Sequence, residues 1–402
     1  MTLFRIGRLL DVRDRELKTD MALEVDGDGR IVEVAPWNSA TSREFTDLGD
    51  YLVAPGLIDL HTHLIGALEN GRYDAFLQRS AGWALMEGVK NAATTLRAGF
   101  TTVRDMGTFR AFLDCDLRDA IESGIVPGPR MFTAGGYLTS SSGGGEITDL
   151  AHDIHLPEVF RAGVADSVDE VRKVVRQFIH GGSDFIKVIA TGAVLAEGTT
   201  PGAPEFTEEQ LRAAVEEAAL YGKRVAAHAH GTLGALQAVR AGVRTLDHGS
   251  FIDGDEIFDE LLARDTYYVP TTQCIRHILN QTDAYSEQAR KKTSGALDIA
   301  MAAMRTAVER GVKLAYGTDA ILFPHGENAQ QLMDFTEAGL SPTEAVLTAT
   351  INAADALEND SVGVLEAGRF GDFIAFKGSK AITDVSMFQH VDSVFKGGVA
   401  VD

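Results

Sequence analysis

The chain has 402 residues, 45% hydrophobic and 24% charged, which suits a folded protein with an ample core and excludes a disordered one. Its 37 basic and 58 acidic side chains leave a formal charge of -21, the opposite of the clustered Lys and Arg that a phosphate backbone demands, so no nucleic-acid partner is expected. Two cysteines are too few for a disulfide framework, no apolar run approaches membrane-spanning length, and Arg5 and Arg8 interrupt the stretch a signal peptide would need; a cytoplasmic protein with no membrane partner is expected.

Strand-like runs Met21 to Val25 and Arg30 to Val34 flank Asp26-Gly-Asp-Gly29, a hairpin signal. The same texture returns at Asp372 to Phe376 and Ser393 to Val401, so both ends are expected to pair into one discontinuous β domain, residues 1–54 and 360–402. Between them, residues 55–359 alternate short β-branched runs with helical patterns. Eight runs qualify as strands: Leu57 to Leu60, Thr101 to Arg104, Arg130 to Thr133, Phe185 to Ile189, Arg224 to Ala227, Thr245 to Asp247, Tyr267 to Pro270 and Lys313 to Tyr316. Eight βα units predict an α/β fold of the (β/α)8 TIM-barrel type, with the terminal strands as a small β-sandwich. Helix starts are marked by Ser167-Val-Asp-Glu170, Thr207-Glu-Glu-Gln210 and Ser341-Pro342 with Glu344. The Ser/Gly-rich stretch Ser140 to Gly145 reads as a mobile active-site loop.

Barrel enzymes carry their chemistry at the C-terminal ends of the strands, and ligand-type residues gather there. His61 and His63 close the first predicted strand on the same face, His228 ends the fifth, His248 the sixth, and Asp319 follows the eighth. Five such residues at the corresponding end of four strands point to a metal centre. Lys187 lies inside the apolar strand Asp184 to Ile189, where an unpaired ammonium is penalised; it is either a buried ion pair or a carbamylated lysine. His230 falls on the face of His228 and is assigned a substrate or oxyanion contact, the alternative being a supporting hydrogen bond. His325 follows the eighth strand and is a candidate substrate contact or a solvent-exposed loop histidine. Arg104-Asp105 reads as a buried ion pair beneath the site.

Val53 to His63, Gly99 to Gly107, Phe185-Ile-Lys187, His228, His248, Gly317-Thr-Asp319 and Val364 to Phe373 together resemble the amidohydrolase superfamily over nearly the whole chain. The resemblance implies two divalent metal ions, zinc by ligand type: one on His61, His63 and Asp319, the other on His228 and His248, with carbamylated Lys187 between them. It implies a water activated by both ions, with Asp319 as general base and then acid. Phe185 to Gly192, Ala227-His-Ala-His-Gly231 and Leu246 to Ser250 resemble the Xaa-Pro dipeptidase-like, imidazolonepropionase-related branch, whose members act as metallo-carboxypeptidases on dipeptides or N-acyl amino acids, some on ochratoxin A. That branch has Thr-Gly-Gly-His after the third strand where this chain reads Ser142-Gly-Gly-Gly145, so a different acyl amino acid is implied. A small-molecule amide or dipeptide substrate and a homo-oligomer, octameric in relatives, are expected by resemblance. The competing readings are a cyclic amidohydrolase of the imidazolonepropionase type and a non-catalytic metal-binding protein.

Overall fold

The computed structural model describes residues 1–66, 73–148, 150–196, 198–281, 285 and 287–402. Strands from both ends of the chain meet in one sheet. It is built from β1 (Thr2–Asp11), β2 (Glu16–Val25), β3 (Ile31–Pro36), β4 (Thr46–Pro55), β12 (Phe373–Lys377), β13 (Ser393–Lys396) and β14 (Val399–Ala400), in the order β14-β13-β12-β4-β1-β2-β3. The Asp26 to Gly29 turn joins β2 and β3 as an antiparallel hairpin, and β1 with β4 is its parallel pair. Alternate residues of β4 and β12 face opposite ways. Leu52, Ala54, Ile374 and Phe376 therefore join the main core, while Val53 and Phe373 pack with Phe4, Leu23 and Phe395 in a second cluster. β4 and β12 thus bury both their faces, and the terminal strands belong to one seven-stranded sheet.

The central strands are all parallel. Three form β5 (Leu57–Thr62), β6 (Phe100–Asp105) and β7 (Arg130–Thr133); four form β11-β10-β9-β8, namely β8 (Ile186–Ile189), β9 (Val225–Gly231), β10 (Thr245–Phe251) and β11 (Tyr267–Val269). Seven of the eight predicted strands are these. The eighth, Lys313 to Tyr316, makes one bridge, Leu314 to Tyr268. It still carries hydrogen bonds to both sides: Tyr268 N donates to Lys313 O (2.9 Å), Ala315 N to Tyr268 O (3.1 Å) and Leu60 N to Tyr316 O (2.9 Å). At the other gap, Leu138 N donates to Lys187 O (2.8 Å) and Ile189 N to Leu138 O (2.9 Å).

The helix starts fall where the caps are. Ser167 with Glu170 opens Val168–His180, Thr207 with Gln210 opens Glu208–Ala219, and Ser341 with Glu344 opens Pro342–Thr348, each by a reciprocal capping box. Val171, Val174, Val175 and Phe178 share one buried face of the first, which sets its register on the sheet and delivers the chain to β8. Among the described residues no helix is long and apolar enough to cross a membrane, and Cys115 and Cys274 are both buried and free.

The Ser140 to Gly145 loop is tied down rather than loose. Ser141 N and Oγ bond Asp166 (2.9 and 2.6 Å), Ser142 N donates to Glu146 Oε2 (2.7 Å), and Gly144 N lies 2.9 Å from both Glu205 oxygens. Three carboxylates supply the acceptors that a glycine-rich segment cannot supply for itself. Burial raises Glu205 to about 7, against the opposing Gly144 N–H. Between the ordinary 4.5 and about 7 the folded chain therefore holds a proton that the unfolded chain has released, so stability falls as pH rises through that window. The stability advantage of wild type over Glu205→Gln, from urea midpoints at pH 5 to 8 and fixed metal loading, should shrink by about 2 kcal/mol as pH rises. An unchanged pH dependence in the variant would refute the assignment.

Candidate active site

Residues of β5, β8, β9 and β10 and the turn after Tyr316 converge on one cavity. It occupies about 800 Å³, open solvent at its mouth included, and its walls carry His61, His63, Lys187, His228, His248 and Asp319 together. The predicted ligands, far apart in sequence, are thus neighbours in space.

His61 Nε2 and His63 Nε2 each lie 3.6 Å from Asp319 Oδ1. Ligand atoms of these three residues fall within 4.8 Å of one another, a spacing able to hold a metal ion. Lys187 Nζ is 3.4 Å from His61 Nε2. The His228 and His248 rings are 4.4 Å apart, and the His61 and His248 rings 4.5 Å. His228 Nε2 is buried without a hydrogen-bond partner, which is costly unless something else binds it. Burial drives His61, His228 and His248 well below the ordinary histidine value and His63 to about 3, so these imidazoles are neutral and offer lone pairs at pH 7. Nitrogen and carboxylate donors, an orphaned buried nitrogen and neutral rings fit a divalent cation.

Lys187 is 1% exposed. Burial lowers it to about 8, against the pull of Asp247 and Asp319, which brings the neutral amine within reach of physiological pH. Burial raises Asp319 to about 6, Lys187 opposing. Asp319 and His248 hold φ of 62° and 76°, left-handed conformations that are costly outside glycine and that cluster at functional sites.

The groups that orient these candidate ligands include Asp247 and Thr271, which the sequence did not single out, and Arg104, whose partner it misassigned. Asp247 Oδ2 is 2.9 Å from His61 Nδ1, which turns Nε2 toward Asp319. Its carboxylate also receives Arg104 Nη2 at 3.2 and 3.3 Å, while Arg104 Nε donates to Leu60 O at 2.6 Å. Arg104 therefore pairs with Asp247 across the molecule, not with Asp105. Adjacent strand residues point to opposite faces, and Asp105 instead accepts Leu64 N (2.7 Å) and Gly107 N (3.1 Å). His248 Nδ1 is held by Thr271 Oγ1 at 2.7 Å, and His63 Nδ1 by Gly107 O at 2.9 Å. The only signal for Asp247 was an acid within an apolar strand, the argument already applied to Lys187.

His230 lines the cavity, its Nδ1 3.0 Å from Ser250 Oγ and its ring stacked 4.9 Å from His248. Burial lowers it to about 3. His325 is not part of the cavity wall: its Nδ1 is 3.4 Å from Thr95 Oγ1 and its Nε2 is buried without a partner. Gly144 and Gly145 line the cavity, and a Cβ on Gly145 would come within 3.0 Å of Ile189, Thr139 and Tyr137, so the position has no room for a larger side chain without repacking.

An α/β fold with parallel strands thus brings histidines, a lysine and an aspartate together around one cavity, three of them spaced so that they could hold a metal ion. The Amidohydrolase family profile matches residues 52–401. The chain is 31% identical over 369 residues to ochratoxinase of Aspergillus niger, spanning 86% of this chain and 75% of that one. It superposes on a Xaa-Pro dipeptidase with methionine bound in its active site (TM-score 0.92, 33% identity, 99% of each chain). A prolidase complexed with N-methylphosphonate-L-proline is also similar (TM-score 0.90, 26% identity, 100% and 99% of the chains). The chain belongs to the amidohydrolase family, in its dipeptidase-like branch, and is a hydrolase acting on amide bonds.

Proposed function

We propose that this enzyme is a binuclear metal-dependent amidohydrolase that releases the C-terminal amino acid from N-acyl amino acids or dipeptides, ochratoxin A included. The observation that carries the reading is the convergence of His61, His63 and Asp319 with the partnerless His228 Nε2 and the buried Lys187. The named activities of the ochratoxinase and dipeptidase relatives support the substrate class. The scaffold is a (β/α)8 barrel over residues 55–359, its two parallel sheets joined through Leu138 and through Lys313 to Tyr316, with residues 1–54 and 360–402 as its β companion. The enzyme is cytoplasmic and homo-oligomeric.

His61, His63 and Asp319 would hold one divalent ion, zinc by donor type, and His228 and His248 a second, with Lys187 carbamylated between them. Carbamylation joins the neutral Nζ to carbon dioxide: the nitrogen lone pair forms an N–C bond, one C=O π bond opens, and one proton leaves the nitrogen, turning an amine into a carboxylate. Bound ions would supply Lewis acidity, making a water acidic and polarising the amide carbonyl. Asp319, near pH 6 and beside that position, takes the proton of the attacking water and passes it to the leaving nitrogen. His230 offers Nε2 to the carbonyl or to the departing carboxylate, its Nδ1 being engaged by Ser250.

Around this polar floor the walls are apolar. Tyr73, Phe76, Phe109 and Tyr137 form an aromatic side and Ile275, Ile278 and Leu322 an aliphatic one; Lys187 is the one Lys or Arg among the described lining residues. Such walls gain free energy from bulky apolar side chains next to the scissile amide and little from charged ones. The test is a panel of N-acyl amino acids and dipeptides, with ochratoxin A and imidazolonepropionate, assayed with and without added Zn²⁺ and bicarbonate. Metal-dependent release of a C-terminal amino acid, fastest for aromatic and large aliphatic residues, is expected. Activity confined to the ring substrate would transfer the enzyme to the cyclic reading.

A further inference from the structure

We propose that Asp105 is a positioning residue for His63, because its single carboxylate fixes both the backbone that carries His63 and the carbonyl that His63 must address. The inference rests on the reading of His63 as a metal ligand. Asp105 is the last residue of β6 and fully buried. One oxygen accepts Leu64 N, the peptide immediately after His63, at 2.7 Å; the other accepts Gly107 N at 3.1 Å. Gly107 O in turn lies 2.9 Å from His63 Nδ1.

A carbonyl oxygen only accepts, so His63 Nδ1 carries the proton and Nε2 keeps its lone pair toward Asp319 Oδ1, 3.6 Å away. Which ring nitrogen is free for a cation is decided by this bond, and the bond depends on where Gly107 sits. Gly107 has φ +98° and its Cα stands so close to Gly136 that an added Cβ would come within 2.9 Å of Gly136 O, so only glycine fits this turn, and a glycine has no side chain of its own to fix the turn. Tyr137 Oη donates to the same carbonyl at 2.9 Å, which leaves Asp105 as the group that holds the N–H side of the turn. His61 is oriented directly by Asp247; His63 is oriented at one remove, through a carboxylate that never touches the ring.

The mutation of choice is Asp105→Asn, nearly isosteric but with an amide NH2 facing one of two backbone N–H groups, so that one of the two contacts is lost. Asp114→Asn is the comparison: Asp114 is equally buried and its carboxylate also accepts a backbone N–H, that of Gly135, at 2.8 Å, but it makes no hydrogen bond to His63, Leu64 or Gly107. Both variants are expected to lower the melting temperature. Only Asp105→Asn is expected to weaken Zn²⁺ or Co²⁺ binding by the metal-stripped protein, by about 10–100-fold, and to change the Co²⁺ absorption spectrum. Equal metal affinity in wild type and Asp105→Asn, or equal losses in both variants, would overturn the proposal. Nitrogen-15 spectra of histidine-labelled, metal-stripped wild type give a second reading that needs no variant: His63 should be protonated at Nδ1, and an Nε2–H tautomer would overturn it. If the wild type itself binds no divalent metal while the tautomer is as stated, the metal-centre reading fails and the orienting role of Asp105 survives.

Discussion

Lys187→Ala is expected to lose metal and turnover together. The side chain sits 1% exposed within β8, 3.4 Å from His61 Nε2 and 3.9 Å from Asp247 Oδ2. Burial, which brings the lysine down to about 8, favours the amine that can take up carbon dioxide. Truncation to alanine removes the group assigned between the two ions, and with it several kcal/mol of transition-state stabilisation, about 10³-fold in kcat/KM or more. Metal analysis after gel filtration should fall from two equivalents to one or none, and bicarbonate, which should raise the activity of metal-stripped wild type on reconstitution, should do nothing for the variant. The opposing view of Lys187, a plain ion-pair partner of Asp247, predicts a protein that is less stable yet keeps both metals. Full metal occupancy with normal turnover in Lys187→Ala would falsify the bridging assignment.

Asp319→Asn separates binding from proton transfer. Asparagine keeps the shape of the side chain and one ligand oxygen, so His61 and His63 should still retain a cation. It cannot accept and return a proton, and the group it replaces is the one that burial tunes to about 6. The expected loss is about 10²–10⁴-fold in kcat with a much smaller change in KM, the pattern of an interaction made in the transition state. The acidic limb of the pH–rate profile should vanish with it: activity carried by an unprotonated base rises as pH climbs through its pKa, and the variant has no base to deprotonate. Retention of that limb would assign the proton transfer to another group.

The cluster of candidate ligands was readable because its residues occupy a repeated structural position. His61, His228 and His248 each follow an apolar run that is legible in the sequence, although β9 and β10 continue three residues past their histidines, to Gly231 and Phe251. Lys187 was readable for a different reason, as a cation where hydrophobic periodicity allows none. What supports these ligands was not: Asp247 and Arg104 belong to strands far apart in sequence, and only the folded chain brings them within 3.2 Å. Next to Asp247, the φ of 76° at His248 breaks the strand alternation, so that both residues serve the centre although they are neighbours in the chain. Neither a left-handed histidine nor an ion pair across the molecule has a local sequence signature.

The loop from Ser140 to Gly145 shows the same division from the other side. Its composition reads as mobility, because glycine and serine offer no apolar contact; the fold fixes it through Asp166, Glu146 and Glu205, two of them well removed in sequence. His325 is the complementary case, a histidine after the eighth predicted strand that packs beside Thr95 instead of lining the cavity. By itself the sequence determined the α/β class, the pairing of the two chain ends, the helix caps and the inventory of ligand-type residues, since each rests on local patterning or on residue chemistry. Tertiary structure alone decided which imidazole nitrogen faces the centre, which charges are paired and how tightly the cavity loop is held, because those depend on hydrogen bonds between segments that meet only when the strands are assembled.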